Sequence, residues 1–172
     1  SIENGTMQFN NQKTITAAGS SFDLSGDSSL IFDQGLELTG GSSIYANLGT
    51  EVKMNAGGLL MGNNSSIFLD QNLWNGQNSG ALTISGDLTA SNNNARIIAT
   101  GIAPTPTGTN KIATVLSGDI VLDSRALDDL VKVDFGWLTT IDEITTNLVA
   151  VDERAIEASY VYNSLTNSPG LA

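Results

Sequence analysis

The chain contains no histidine and no cysteine. The usual general base and commonest metal ligand is therefore missing. A cysteine nucleophile, a disulfide framework and a Cys-ligated zinc are excluded as well. What remains for chemistry is carboxylate, Ser, Lys and Tyr. Two carboxylate pairs are adjacent, Asp128-Asp129 and Asp142-Glu143. Neighbours along a strand point to opposite faces, so such pairs need not converge, and solvated surface charge is the plainer reading. Asp23, Asp27, Asp33 and Glu37 recur at no common position of the repeat described below. Glycosidic cleavage would need two carboxylates facing one cleft. No phosphate-binding Gly-x-x-x-x-Gly-Lys loop and no Gly-x-Ser-x-Gly elbow occurs; Gly57-Gly58-Leu59-Leu60-Met61-Gly62 fits a turn followed by a strand. Trp74, Trp137, Tyr160 and Tyr162 are candidate partner contacts that could stack on a sugar or a protein, against the alternative that they belong to the core or a cap. No residue set points to a catalytic group, a metal or a cofactor.

The elements that would hold these residues are short. The 172 residues carry 40 % hydrophobic and only 15 % charged side chains, enough apolar surface for a core built mostly of Leu, Ile and Val. Lys and Arg total 7 against 18 Asp and Glu, a formal charge of −11. That balance argues against nucleic acid and against an anionic membrane surface, both of which need a basic face. It fits solubility, with cation binding as the lesser alternative. No run of about 18 apolar residues is present, so no membrane-spanning helix is expected. The start, Ser1-Ile2-Glu3-Asn4-Gly5, is neither a signal peptide nor an initiator Met; we expect an excised fragment whose targeting signals lie elsewhere.

A repeat organises the first half. Ser-Ser plus an apolar residue occurs at Ser20-Ser21-Phe22, Ser42-Ser43-Ile44 and Ser65-Ser66-Ile67, at spacings of 22 and 23. Leu36, Leu59 and Leu82 form a second series, and Leu30 and Val52 a third. Each unit holds three alternating segments, such as Leu36-Glu37-Leu38, Ile44-Tyr45-Ala46 and Val52-Lys53-Met54, separated by glycines. Alternation is the strand period, and glycine supplies the turns. Three short strands per 22–23 residues describe one coil of a triangular β-helix, and stacked coils share one core. The expected fold class is all-β: a right-handed parallel β-helix (solenoid) with a non-repetitive C-terminal β cap. Phe22, Ile44 and Ile67 are expected to form one inward ladder, and Leu36, Leu59 and Leu82 another. The Ser pairs and Asn63-Asn64 should stack at a corner. A leucine-rich repeat lacks its Leu density here, a calcium-binding nonapeptide roll lacks its motif, and an antiparallel sandwich would not require the period.

The period supports about three and a half coils, over roughly 13–98. We expect coils in 1–98, a capping region in 99–165, and a tail in 166–172. Residues 72–80 read as a longer loop, and Pro104-Thr105-Pro106 as extended chain. Candidate strands follow at Ile112–Leu116, Ile120–Leu122, Leu130–Phe135 and Leu148–Val151, with one helical turn between Asp123 and Leu130. Asp152 to Leu165 is ambiguous: Ala155, Ile156 and Ala158 allow a helix, whereas Tyr160-Val161-Tyr162 prefers a strand.

The Gly/Ser/Asn-rich coils at 13–70 and the phrases Gly80-Ala81-Leu82-Thr83-Ile84-Ser85-Gly86-Asp87-Leu88, Lys111–Ile120 and Asn147–Val151 together resemble the C-terminal passenger region of a bacterial autotransporter (type V secretion). The likeness is one of composition and phrasing over most of the chain. It implies a β-helix displayed at the bacterial cell surface or secreted, whose last coils form a stable folding nucleus, often called an autochaperone. It also implies a cis contact with an outer-membrane β-barrel outside this chain, and a host-cell or matrix protein or glycan as partner. The length and acidity of 123–157 depart from that pattern. The expected role is a non-catalytic stalk or adhesin segment; the alternative is a carbohydrate-active β-helix, a polysaccharide lyase or hydrolase.

Overall fold

The computed structural model of the chain describes residues 1–70, 82–91, 94–101, 107–134 and 139–162. Short strands return to the same place after each circuit. The first coil comprises β1 (Gly5–Phe9), β2 (Thr14–Ile15) and β3 (Ser21–Leu24). The second holds β4 (Ser28–Phe32), β5 (Leu36–Leu38) and β6 (Ser43–Ala46), and the third β7 (Glu51–Met54), β8 (Leu59–Met61) and β9 (Ser66–Asp70). The fourth has β10 (Leu82–Ser85), β11 (Leu88–Thr89) and β12 (Arg96–Thr100). A fifth follows with β13 (Thr107–Leu116), β14 (Ile120–Val121), a single helical turn α1 (Leu127–Leu130) and β15 (Val131–Asp134). Like strands pair in parallel from coil to coil, giving sheets in the orders β3-β6-β9-β12-β15 and β2-β5-β8-β11-β14. The third sheet runs β1-β4-β7-β10-β13 and then adds β17 (Glu153–Tyr162) and β16 (Thr139–Ala150), both antiparallel to their neighbours. The fold is an all-β parallel β-helix.

Alternation decides which residues face in. Phe22, Ile44 and Ile67 are cross-strand partners in successive coils, and Ile97 and Val131 extend that ladder. Ile44, Ile67, Ile97 and Val131 are fully buried, each worth about 1.5–3 kcal/mol of transfer free energy. Leu30 and Val52 pair as their spacing implies, and Leu82 pairs with Val52. The expected ladder of Leu36, Leu59 and Leu82 is thus correct only for its first two members: Leu59 pairs with Leu36 and with Leu88. The chain between β9 and β10 is longer than in earlier coils, so a spacing of 23 no longer returns it to the same side. At the first coil, Phe9 stacks on Phe32 with ring centroids 5.2 Å apart, and Phe22 meets both edge-on.

Two of the corners differ chemically. Between the β2-series and β3-series sheets, turns close with Ser20, Ser42 and Ser65 donating backbone N–H to Ala17, Thr39 and Gly62. The third residue of each turn (Gly19, Gly41, Asn64) has positive φ, which Gly and Asn tolerate best. The Ser20 and Ser65 hydroxyls donate to the carbonyls of Ala17 and Gly62. Ser42 instead reaches down to Ala17 of the coil below and accepts from Thr16. The Ser pairs therefore do gather at one corner, with Asn63 and Asn64 beside them. Between the β1-series and β2-series sheets the corner is a column of glycines. A Cβ on Gly35 would lie 2.8 Å from the Gly57 carbonyl group, and one on Gly86 would lie 2.6 Å from the Gly58 nitrogen. Here backbone rests on backbone.

Parallel pairing continues past residue 98: β13, β14 and β15 pair with β10, β11 and β12. The expected strands at 112–116, 120–122 and 130–135 are these three, and the expected helical turn is α1. Residues 153–162 form a strand: Ile156, Ala158 and Tyr160 are buried at period two, and the β preference of the Tyr-Val-Tyr run prevails. The expected strand at 148–151 is the end of β16, which is far longer. Asp152, with φ of 59°, occupies the tight turn between β16 and β17. β16 also touches α1 and β15, and Ile141 and Ile144 pack against the core. The hairpin thus lies across the end of the last coil.

Candidate binding surface

The carboxylates that could have supported chemistry are distributed along the stack. Asp23 accepts from Asn47 Nδ2 at 3.2 Å. Asp33 accepts from Gln8 Nε2 at 2.8 Å and from Asn55 Nδ2 at 2.6 Å. Each of these bonds joins adjacent coils, so the acids serve as rungs along the axis. Asp129 turns its carboxylate onto the backbone N–H of Ala126 at 3.0 Å, at the start of α1. Asp142 and Glu143 are both exposed on β16, beside an irregularity in its register. Among the described residues, no group of three or more carboxylates is placed to hold a metal ion.

The aromatic residues singled out from sequence do not assemble. Trp74 and Trp137 lie outside the described residues. Tyr160 is buried, 3 % exposed, and its ring lies over Gly108, where a Cβ would sit 2.6 Å from the Tyr160 hydroxyl oxygen. It is a packing residue of the hairpin and offers no surface for a partner, which corrects that expectation. Tyr162 ends β17; its side chain is outside the described set.

The exposed aromatic feature is elsewhere. On the outer face of the β3-series sheet, Asp23, Tyr45, Phe68, Ile98 and Lys132 are successive cross-strand partners. The Tyr45 and Phe68 rings stack, and a shallow groove beside them is lined by Asn47, Asp70 and Thr100. The signal was present in the sequence: each ring follows the inward Ile44 or Ile67 by one residue, so the same 23-residue period places both outside.

A second feature lies at the C-terminal end of the same sheet. Arg96 on β12 and Lys132 on β15 are exposed on its outer face, and Arg125 reaches beside them from the segment before α1. The Arg125 guanidinium donates to the carbonyls of Ala90, Ala95 and Asp129 at 2.8–3.1 Å. With Asn94 and Asp129 these three cations line a cleft of about 280 Å³. No periodicity announces this site, because Arg125 arrives from the irregular connection between β14 and α1.

Exposed apolar residues mark both ends. Met7 and Ile15 are exposed on the first coil. Leu148, Val149 and Val151 are exposed at the tip of the β16–β17 hairpin. No described helix is long and apolar enough to cross a membrane. Comparison with protein-family models, curated proteins and solved structures finds no match to this chain.

Proposed function

We propose that this chain is a non-catalytic, surface-displayed β-helical segment, a stalk or adhesin piece of an autotransporter passenger, whose C-terminal hairpin closes the stack and serves as its folding nucleus. The observation that supports this reading is the change of sheet polarity at β13. Four parallel interfaces between coils are followed by a long antiparallel hairpin laid across the last coil. A solenoid otherwise exposes an apolar end and open strand edges, and a local hairpin forms faster than parallel pairing between coils. A preformed hairpin can therefore present β13 to the incoming coils. Asp23 and Asp33, held as rungs between coils, suit a rigid spacer.

Deleting residues 139–162 tests the folding role. We expect faster proteolysis of residues 1–95 and slower refolding than in the whole chain. Unchanged resistance and refolding would remove that role. The secretion reading is checked by whether the gene continues into an outer-membrane barrel, and the adhesive one by binding of the purified chain to host cells or matrix. Turnover of a polysaccharide, abolished by a single Asp→Asn change, would replace this reading with the carbohydrate-active one.

A further inference from the structure

We infer that the cleft between Arg96, Arg125 and Lys132 is a binding site for a single oxyanion group, a sulfate, phosphate or carboxylate. The chain has only 7 Lys and Arg, and three of them line this one cleft. In a protein of net charge −11, cations in contact with carboxylates are the expected arrangement. Yet among the described residues neither Arg96 nor Lys132 has a carboxylate within ion-pair distance; the described ion pair is Arg154 with Asp119, at 3.5 Å. The acid that does line the cleft, Asp129, has one oxygen on the Ala126 N–H.

The placement is built by the fold. Arg96 precedes Ile97, the partner of Val131, and Lys132 follows Val131, so the two cations sit diagonally on adjacent strands and on one face. Like charges so placed repel, and an anion between them relieves the repulsion. Arg125 is held by three carbonyls, two of them from the coil below, so it adds a fixed positive charge. Lys132 donates to the Asp128 carbonyl at 2.6 Å and keeps two further N–H donors. The planar Arg96 fork matches two oxygens of a sulfate or carboxylate, with Lys132 as a point charge beside it. A compact anion responds to this local field, because the remaining charge is screened over about 10 Å at ordinary salt. A polyanion such as nucleic acid would meet the acidic remainder of the surface. This site does not depend on the stalk reading.

The test is a backbone-amide NMR titration of the whole chain with sodium sulfate, against sodium chloride at matched ionic strength. Saturable shifts confined to residues 94–98 and 125–133, the two segments that line the cleft, are expected with sulfate alone. Arg96→Gln and Lys132→Gln should each weaken binding about tenfold, the loss of one charge-assisted hydrogen bond. Arg96→Lys, which keeps the charge and loses the fork, should fall between, and Lys53→Gln should bind as the parent. The three positions are all exposed, and the amide spectrum itself reports whether each of the four variants is folded. Shifts that do not saturate, that chloride reproduces, or that survive Arg96→Gln would overturn the site. Parallel titrations with phosphate and galacturonate separate the sources. Equal affinity assigns recognition to the oxyanion alone, and tighter galacturonate binding adds the sugar that carries it; both outcomes support the site.

Discussion

The rings of Tyr45 and Phe68 lie parallel, with centroids 4.8 Å apart and planes inclined by 2°. They are outward neighbours on consecutive coils, flanked by Asp23 below and Ile98 above. Coil stacking at strand spacing forces the contact, because side chains in register along a parallel sheet repeat at about 4.8 Å. The faces of the rings are thereby turned along the axis and their edges outward. This pair should be energetically coupled. Tyr45→Ala and Phe68→Ala, alone and together in urea unfolding, should give a coupling of about 0.5–1.5 kcal/mol. Additive losses would mean that the stack is a passive consequence of register.

Ile67 sits mid-stack and fully buried between Ile44 and Ile97. Ile67→Ala should destabilise the protein by about 2–5 kcal/mol, and the denaturant midpoint measures this. Phe22, half-buried at the first coil, should cost less when truncated, since part of its surface is already in water. A larger loss at Phe22 would contradict the end-to-middle gradient of burial.

The glycine column gives a sharper contrast. Gly86 has φ of 107°, and a Cβ there would lie 2.6 Å from the Gly58 nitrogen; Gly19 has φ of 73° with nothing near its missing Cβ. Gly19→Ala should cost about 1–2 kcal/mol, from backbone strain alone. Gly86→Ala should cost roughly 3 kcal/mol or more, since overpacking adds to strain. Thermal unfolding of both variants decides the matter, and equal losses would show that the corner yields.

At the serine corner, Ser42 is fully buried and joins two coils, donating to the Ala17 carbonyl at 3.0 Å and accepting from Thr16 at 3.0 Å. Ser42→Ala leaves those partners short of a bond in a dry site and should cost about 1–3 kcal/mol. Ser20 makes an equivalent local bond in a more exposed position, and Ser20→Ala should cost less than about 0.5 kcal/mol. Chemical denaturation of the two variants side by side checks the order.

Asn110, in β13, is 6 % exposed, and its side-chain nitrogen has no hydrogen-bond partner among the described residues. A buried unsatisfied amide is costly, so Asn110→Leu, of similar size, should raise the unfolding midpoint. A lower midpoint would point to a partner for that amide.

The coils of the first half were legible because one short pattern, repeated at fixed spacing, specifies strand, facing and turn together. The Phe22-Ile44-Ile67 ladder follows from that alone. Leu82 was misplaced because added chain between β9 and β10 broke the count while preserving a coincidental spacing from Leu59. The fifth coil has strands but no period, since its connections are longer, so its pairing with the fourth depends on contacts that only the folded stack creates. The Arg96-Arg125-Lys132 cleft was illegible for the same reason: coil stacking brings Arg125 beside Arg96, 29 residues earlier. Tyr160 was misread because a buried tyrosine covering a glycine and an exposed one look alike in a Tyr-Val-Tyr run.

The corners also divide the circumference into an edge where the chain can lengthen and one where it cannot. At the glycine column, successive coils touch through bare backbone, and the connection stays two to four residues long: 10–13, 33–35, 55–58, 86–87 and 117–119. Between the β3-series and β1-series sheets the connection grows from three or four residues in the early coils to eleven between β9 and β10. A sequence of this kind can therefore acquire or exchange segments on one side of the stack while the opposite seam sets the pitch. Grafting a foreign peptide into the connection after β6 should be tolerated, and the same graft after β7 should not.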